Sequence, residues 1–152
     1  MPDTSVEDRT TSIPFKTALT IVVVVGTFLY LIWAQRGLLG PMTPIRAVGM
    51  TLAAVGLIGW VTARIQLGTS FSIRPKATEL VTHGIYSKIR NPVYVSGTVF
   101  LAGLILWAGR PIWLLVLLIL IPMQVVRARK EARVLEAKFG DAYRAYREKT
   151  WF

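Results

Sequence analysis

The chain has no cysteine and a single histidine, His83, among 152 residues. The first absence excludes disulfides, thiolate nucleophiles and cysteine-ligated metal. The second excludes a multi-histidine zinc site. Acidic residues are also scarce: eight Asp and Glu stand against eighteen Lys and Arg, a formal net charge of +10. Long stretches carry no charge of either sign. Thr17–Gln35 is uncharged over 19 residues, Ala47–Ala63 over 17, Asn91–Gly109 over 19 and Pro111–Val126 over 16. No Gly-x-Gly-x-x-Gly opens a strand–helix unit, so a Rossmann-type nucleotide site is not indicated. There is no internal repeat and no low-complexity tract.

What the chain does have is apolar length, with 53% of its residues hydrophobic. A helix rising about 1.5 Å per residue needs roughly 20 residues to cross a hydrocarbon core about 30 Å thick. The first and third runs meet that length. The second is expected to extend through snorkelling of Arg46 and Arg64. The fourth covers only about 24 Å and should begin or end in the interfacial zone. The first run is longer than a signal-peptide core and no small-residue cleavage site follows it, so it reads as a span. The expectation is an all-α polytopic membrane protein with four transmembrane helices, the last two a helical hairpin, plus a cytosolic C-terminal helical extension. It divides into a polar N-terminal segment (1–16), two N-terminal transmembrane helices (17–65) and a C-terminal core (66–152).

Charge orients these spans. With four crossings, the N-terminus, the loop between spans two and three and the C-terminal tail share one side. That side holds fifteen Lys and Arg and all eight acids, whereas the other holds Arg36, Arg46 and Arg110. Both termini are therefore expected in the cytoplasm, and the short chain suggests a prokaryotic inner membrane. The same cations suit anionic lipid head groups. No aromatic-interleaved basic module for nucleic acid accompanies them. Gly109-Arg110-Pro111 reads as the hairpin turn, with Pro111 at a first helical position and Trp107 and Trp113 as interfacial anchors. Gly97 and Gly103 are expected to permit close helix packing.

Polar chemistry gathers at the cytosolic ends of the last two spans. The first block is Thr82-His83-Gly84-Ile85-Tyr86-Ser87-Lys88-Ile89-Arg90-Asn91-Pro92-Val93-Tyr94. Proline drives its predecessor out of the helical region, so Asn91 can cap the third span with Pro92 at its first position. The helix start beside Arg90 then reads either as an ordinary capped helix with a snorkelling arginine or as a carboxylate or phosphate site. The second block is Arg127 and Glu131, at i, i+4 where the fourth helix leaves the membrane. Arginine first is the weaker order for a helix pair. The pair is either a solvated charged face or a functional membrane-edge ion pair. His83 is the one side chain whose ordinary pKa lies near neutrality, and it can equally be a plain loop residue. Tyr86 and Tyr94 fit interfacial anchors when taken singly. Asp141 is placed to cap a last short helix carrying Tyr143 and Tyr146.

Leu80-Val81-Thr82-His83-Gly84-Ile85-Tyr86, then Arg90-Asn91-Pro92-Val93-Tyr94, then Arg127 and Glu131 ahead of Leu135, Phe139-Gly140 and Tyr143, resembles the isoprenylcysteine carboxyl methyltransferase family. The related phospholipid N-methyltransferases share much of this pattern. The likeness covers about residues 66–151. It implies an integral membrane enzyme using S-adenosyl-L-methionine, with the cofactor between the last two membrane helices, the preceding loop and the tail. Under the resemblance, Thr78, Glu79, Leu80 and Val81 line the adenosine. His83, Tyr86, Arg90, Asn91, Pro92, Val93 and Tyr94 complete the cofactor site. Glu131 contacts the cofactor and Arg127 faces the acceptor, the two forming the catalytic pair. Asn91 stands where the carboxyl methyltransferases usually carry histidine, and Ala132 where a second acid often follows the first.

The implied activity is methyl transfer to a lipophilic or small apolar acceptor, isoprenylcysteine carboxylate-like by family. A phospholipid amine or a thiol is the alternative acceptor. An NADPH-dependent reductase of the sterol type and a non-catalytic membrane protein are the other readings. The expected partners are the acceptor and membrane lipids, with no nucleic acid and no metal. Methyl transfer from a sulfonium is an in-line displacement that depends on placement more than on a strong acid or base. A pocket at the cytosolic membrane edge admits a polar cofactor from water and a lipophilic acceptor from the bilayer.

Overall fold

The computed structural model describes residues 15–38, 41–67 and 80–151. Helices follow one another in the order α1 (Phe15–Leu38), α2 (Pro44–Leu67), a 3-10 turn (Gly84–Ser87), α3 (Pro92–Trp107), a 3-10 segment (Pro111–Val116) running into α4 (Leu117–Phe139), and α5 (Asp141–Lys149). Among the described residues the one extended pairing is an isolated parallel bridge between Ile89 and Trp151. The all-α expectation holds. The four expected spans resolve into three helical stretches long and apolar enough to cross a membrane and one shorter apolar helix, α3, of 16 residues. The fourth apolar run starts as 3-10 helix, which rises about 2.0 Å per residue. That gives it a few ångströms more reach than a wholly α-helical run.

Small residues decide which helices meet. On α2, Gly49, Ala53 and Gly56 fall on one face, and α3 runs antiparallel along it. A Cβ added at Gly49 would strike the Trp107 backbone, one at Gly56 the Phe100 backbone, and one at Gly103 the Ala53 backbone. Such close backbone approach is how membrane helices gain van der Waals contact without a hydrophobic driving force. Gly103 therefore does what its sequence position suggested. Gly97 does not: a Cβ there would meet only the Trp60 ring, at ordinary contact distance of 3.6 Å. α1 joins the pair through Phe28, which packs edge-on against Phe100 at 5.7 Å and Trp107 at 6.3 Å. Trp107 is thus a core residue, only 3% exposed, and not the interfacial anchor its place beside the turn suggested. Trp113, across the turn, is exposed as expected.

α3 packs along its length on α2 and touches α4 sparsely. Side-chain hydrogen bonds cross between α3 and α4, among them Thr98 Oγ1 to Gln124 Oε1 at 3.0 Å and Tyr94 OH to Glu131 Oε1 at 2.7 Å. As numbers fall on α3 they rise on α4, so the hairpin is antiparallel as expected. It is a loose hairpin, however, spaced by polar side chains. Much of the rest of α4 turns large apolar residues outward, including Leu118, Ile119, Met123 and Val126.

The C-terminal end folds back on itself. Gly140 takes φ +51°, a region that favours glycine, and reverses α4 into α5. Gly140, not Asp141, is the N-cap of α5, and Asp141 instead accepts from Arg144 Nη1 at 3.1 Å. Arg144 and Arg147 both reach Glu136 of α4, at 3.1 and 3.6 Å. The chain beyond α5 then lies beside residues 88–90: Trp151 N–H donates to Lys88 O at 2.7 Å and Arg90 N–H to Trp151 O at 3.1 Å.

Candidate functional site

The strap from His83 to Asn91 leads into α3, and it is held at three further points besides its backbone pairing with Trp151. Gly84, at φ +61°, lets the chain turn against the Gln66 side chain, whose Oε1 accepts from Ile85 N–H at 2.8 Å. Tyr86 is buried, and its hydroxyl reaches Ala63 O at 3.4 Å. From the other side Tyr146 of α5 donates to Tyr86 O at 2.8 Å. The Tyr143 and Tyr146 rings lie 6.2 Å apart, the i, i+3 neighbours expected of α5. Burial raises the hydroxyl pKa of Tyr86 above its ordinary value, and nearby Tyr146 adds to this while Arg64 opposes it. Burial likewise pushes Tyr146 up to about 12, with Tyr143 adding and Arg90 opposing, and raises Tyr143. All three are therefore neutral hydrogen-bonding groups at physiological pH.

Asn91 and Pro92 begin α3 as the sequence required, with Pro92 buried in the first turn. The capping expectation needs correction. Asn91 occupies the N-cap position with φ −122° and ψ 56°, but its side chain makes no capping hydrogen bond. Its backbone oxygen serves instead, accepting from Tyr94 N–H at 3.1 Å and Val95 N–H at 3.2 Å. The carboxamide is left for other partners.

One turn into α3, Tyr94 meets the second block. Its hydroxyl donates to Glu131 Oε1 at 2.7 Å, and Arg127 Nε donates to the same oxygen at 3.2 Å. The Arg127 side chain is 48% exposed and that of Glu131 31% exposed. A pair this exposed adds only about 0.3–0.5 kcal/mol as an i, i+4 helix contact. The interhelical tyrosine bond is the stronger constraint on Glu131. Both donors converge on Oε1, and Oε2 has no partner among the described residues. Tyr86 lies within electrostatic reach of both Tyr94 and Glu131, and the Tyr94–Glu131 bond joins the two sequence blocks.

Arg90, expected beside the helix start, is half-buried, and its Nε is buried without a hydrogen-bond partner among the described residues. Tyr143 lies beside it. His83 is exposed, and its carbonyl accepts from Tyr86 N–H at 3.2 Å. Leu80, Val81 and Val93 are half-buried, the first two in non-helical chain. Thr78 and Glu79 lie outside the described residues.

Several residues here have roles that the sequence did not show. Arg64, expected to snorkel to water, is instead 7% exposed, with its guanidinium 5.1 Å from the Trp60 ring centroid and within reach of Tyr86. Tyr146 and Trp151 hold the strap. Thr98 and Gln124 bridge α3 and α4. Gln124 had a readable signal, since it is the only amide in the fourth apolar run. Arg64 had none, because nothing local tells a snorkelling arginine from a buried one.

Among the described residues no cluster of three or more His, Asp or Glu could hold a metal ion. No curated protein gives a significant match to the chain. The family model described as Phospholipid methyltransferase matches residues 44–142, which run from the start of α2 into the first turn of α5 and include Tyr86, Arg90, Tyr94, Arg127 and Glu131. This match spans about two thirds of the sequence, and with the apolar helices and the paired blocks it establishes that the chain belongs to the phospholipid methyltransferase family of integral membrane methyltransferases.

Proposed function

We propose that this protein is an S-adenosylmethionine-dependent methyltransferase that methylates a lipophilic acceptor reaching the site from the bilayer. The observation that carries this reading is the Tyr94–Glu131–Arg127 cluster at the open end of the loose α3–α4 hairpin. The topology we propose with it has four spans, α3 being the short one, and both termini in the cytoplasm.

The side chains present suit the cofactor. S-adenosylmethionine carries a carboxylate, an ammonium, ribose hydroxyls and an adenine, and when bound it supplies an electrophilic methyl on a sulfonium. Arg90 offers a buried guanidinium N–H without a partner among the described residues, suited to a carboxylate. Glu131 Oε2 is a ready acceptor for ammonium or ribose hydroxyl, and Tyr94 supplies aromatic surface beside it. The Asn91 carboxamide, not used in capping, adds a donor and an acceptor at the helix start. Residues 78–81 are proposed to cover the adenosine.

Tyr94 and Arg127 fix the Glu131 carboxylate from two directions, so little ordering remains when ligand binds. Arg127, half-exposed at the membrane edge, is placed to orient an anionic acceptor group. An anionic acceptor needs no base. An amine acceptor must shed a proton, and Glu131 is the carboxylate at hand to take it. The apolar flank of α4 excludes water from the bilayer side and leaves lipid as the neighbour.

Transfer of labelled methyl by the purified protein into a lipid extract and into farnesylcysteine, with products identified by mass, tests the reading. Label is expected in a lipid-phase product, with turnover lost in Arg127→Ala. Stabilisation against heat by NADPH but not by S-adenosylhomocysteine would contradict it.

A further inference from the structure

Thr98 and Gln124 lie deeper than the Tyr94–Glu131 contact, on the same helix faces. Thr98 is one turn below Tyr94 on α3. Gln124 is one turn inside Arg127 on α4, within the apolar run that ends at Val126. The Thr98 hydroxyl has one proton and two acceptors in reach, Tyr94 O at 2.9 Å and Gln124 Oε1 at 3.0 Å. Whichever way the Gln124 carboxamide is turned, at least one of its N–H donors is left without a partner among the described residues. Leaving such a donor in an apolar environment is costly. If interhelical adhesion were its sole role, the α3–α4 contact would be expected to close around it. The contact is instead sparse.

We propose that Gln124, oriented by Thr98, is a specificity-determining residue that donates to the ester carbonyl of an acyl-linked glycerophospholipid whose phosphate lies against Arg127. This deepens the methyltransferase reading above and rests on it for the identity of the site. Gln124 and Arg127 stand at i, i+3 on one face, with a rise between them of about 4.5 Å. That offset suits a phosphate followed, on the apolar side, by a carbonyl oxygen. The anion sits where Arg127 meets water, and the carbonyl where the apolar run begins.

The test compares two phosphatidylethanolamines of equal chain length, one diacyl and one dialkyl, the second lacking the carbonyls. Full-length protein in nanodiscs is measured for retention of each lipid by native mass spectrometry and for methylation with labelled S-adenosylmethionine. Wild type should favour the diacyl lipid about fivefold to tenfold in retention and in KM, the effect of one hydrogen bond. Gln124→Leu should abolish the preference, and Thr98→Val should reduce it. Both variants should keep wild-type thermal stabilisation by S-adenosylhomocysteine, which separates lost recognition from lost folding. Equal retention of the two lipids by wild type, or an undiminished preference in Gln124→Leu, overturns the proposal. Retention is read without turnover: absent methylation with an intact, Gln124-dependent diacyl preference would count against this lipid as methyl acceptor and leave the recognition site standing.

Discussion

Tyr94→Phe removes one hydroxyl and leaves the ring in place, so it isolates the bond that ties α3 to Glu131. That bond is 2.7 Å long and runs to a carboxylate oxygen. Hydrogen bonds to charged groups contribute about 1.5–3 kcal/mol. Glu131 is 31% exposed, so water can replace part of the lost contact, and about 1–2 kcal/mol is the expected net effect. If ligand binding requires Glu131 in its present rotamer, affinity for S-adenosylhomocysteine falls roughly fivefold to thirtyfold. Arg127→Leu removes the other donor to the same oxygen. That pair is exposed and contributes about 0.3–0.5 kcal/mol, so affinity should fall only about twofold. Isothermal titration calorimetry on both variants in one detergent measures the order of the two effects. Wild-type affinity in Tyr94→Phe, or a larger loss in Arg127→Leu than in Tyr94→Phe, would refute the assignment of Tyr94 as the residue that positions Glu131.

Gly103→Val should separate α2 from α3, because even a Cβ at this position strikes the Ala53 backbone; a loss of at least about 1–3 kcal/mol is expected in detergent thermal unfolding, whereas Gly97→Ala, facing only the Trp60 ring, should be near neutral. Tyr146→Phe should loosen the strap by about 1 kcal/mol, seen as roughly fivefold faster hydrogen exchange at the amides of Ile89 and Arg90, with unchanged exchange counting against the clamp. Burial raises the pKa of Tyr146 to about 12 from an ordinary value of 10, so its contribution is fully present below pH 10 and is lost as pH rises through 12. Exchange at the same amides should therefore stay flat from pH 7 to 10, after correction for intrinsic rates, and rise above that in wild type but less in Tyr146→Phe.

The two polar blocks were legible because each is local. Asn91-Pro92 states a helix start in two residues, and Arg127 and Glu131 share a face by spacing alone. The uncharged runs announced the apolar helices in the same way, three of them long enough to cross a membrane. Packing between distant segments was harder to read. Gly49, Ala53 and Gly56 carry a small-residue face, but nothing in that face names α3 as its partner. Trp107 reads as an anchor from its place beside the turn, and only the approach of Phe28 from α1 makes it core. The strap depends on backbone hydrogen bonds between residues 88–90 and Trp151, which leave no side-chain pattern. Asn91 was the misleading local signal: its type suits a cap, yet its backbone oxygen does that work and frees the side chain.

The most direct measurement is equilibrium binding of S-adenosylhomocysteine to the wild-type protein and to Glu131→Ala, with NADPH as the control ligand. Saturable binding by wild type, lost or strongly weakened in Glu131→Ala, and no binding of NADPH is the result expected of a cofactor site built on Tyr94, Arg127 and Glu131. Equal binding of S-adenosylhomocysteine by both proteins, or no binding by wild type at millimolar ligand, would contradict it.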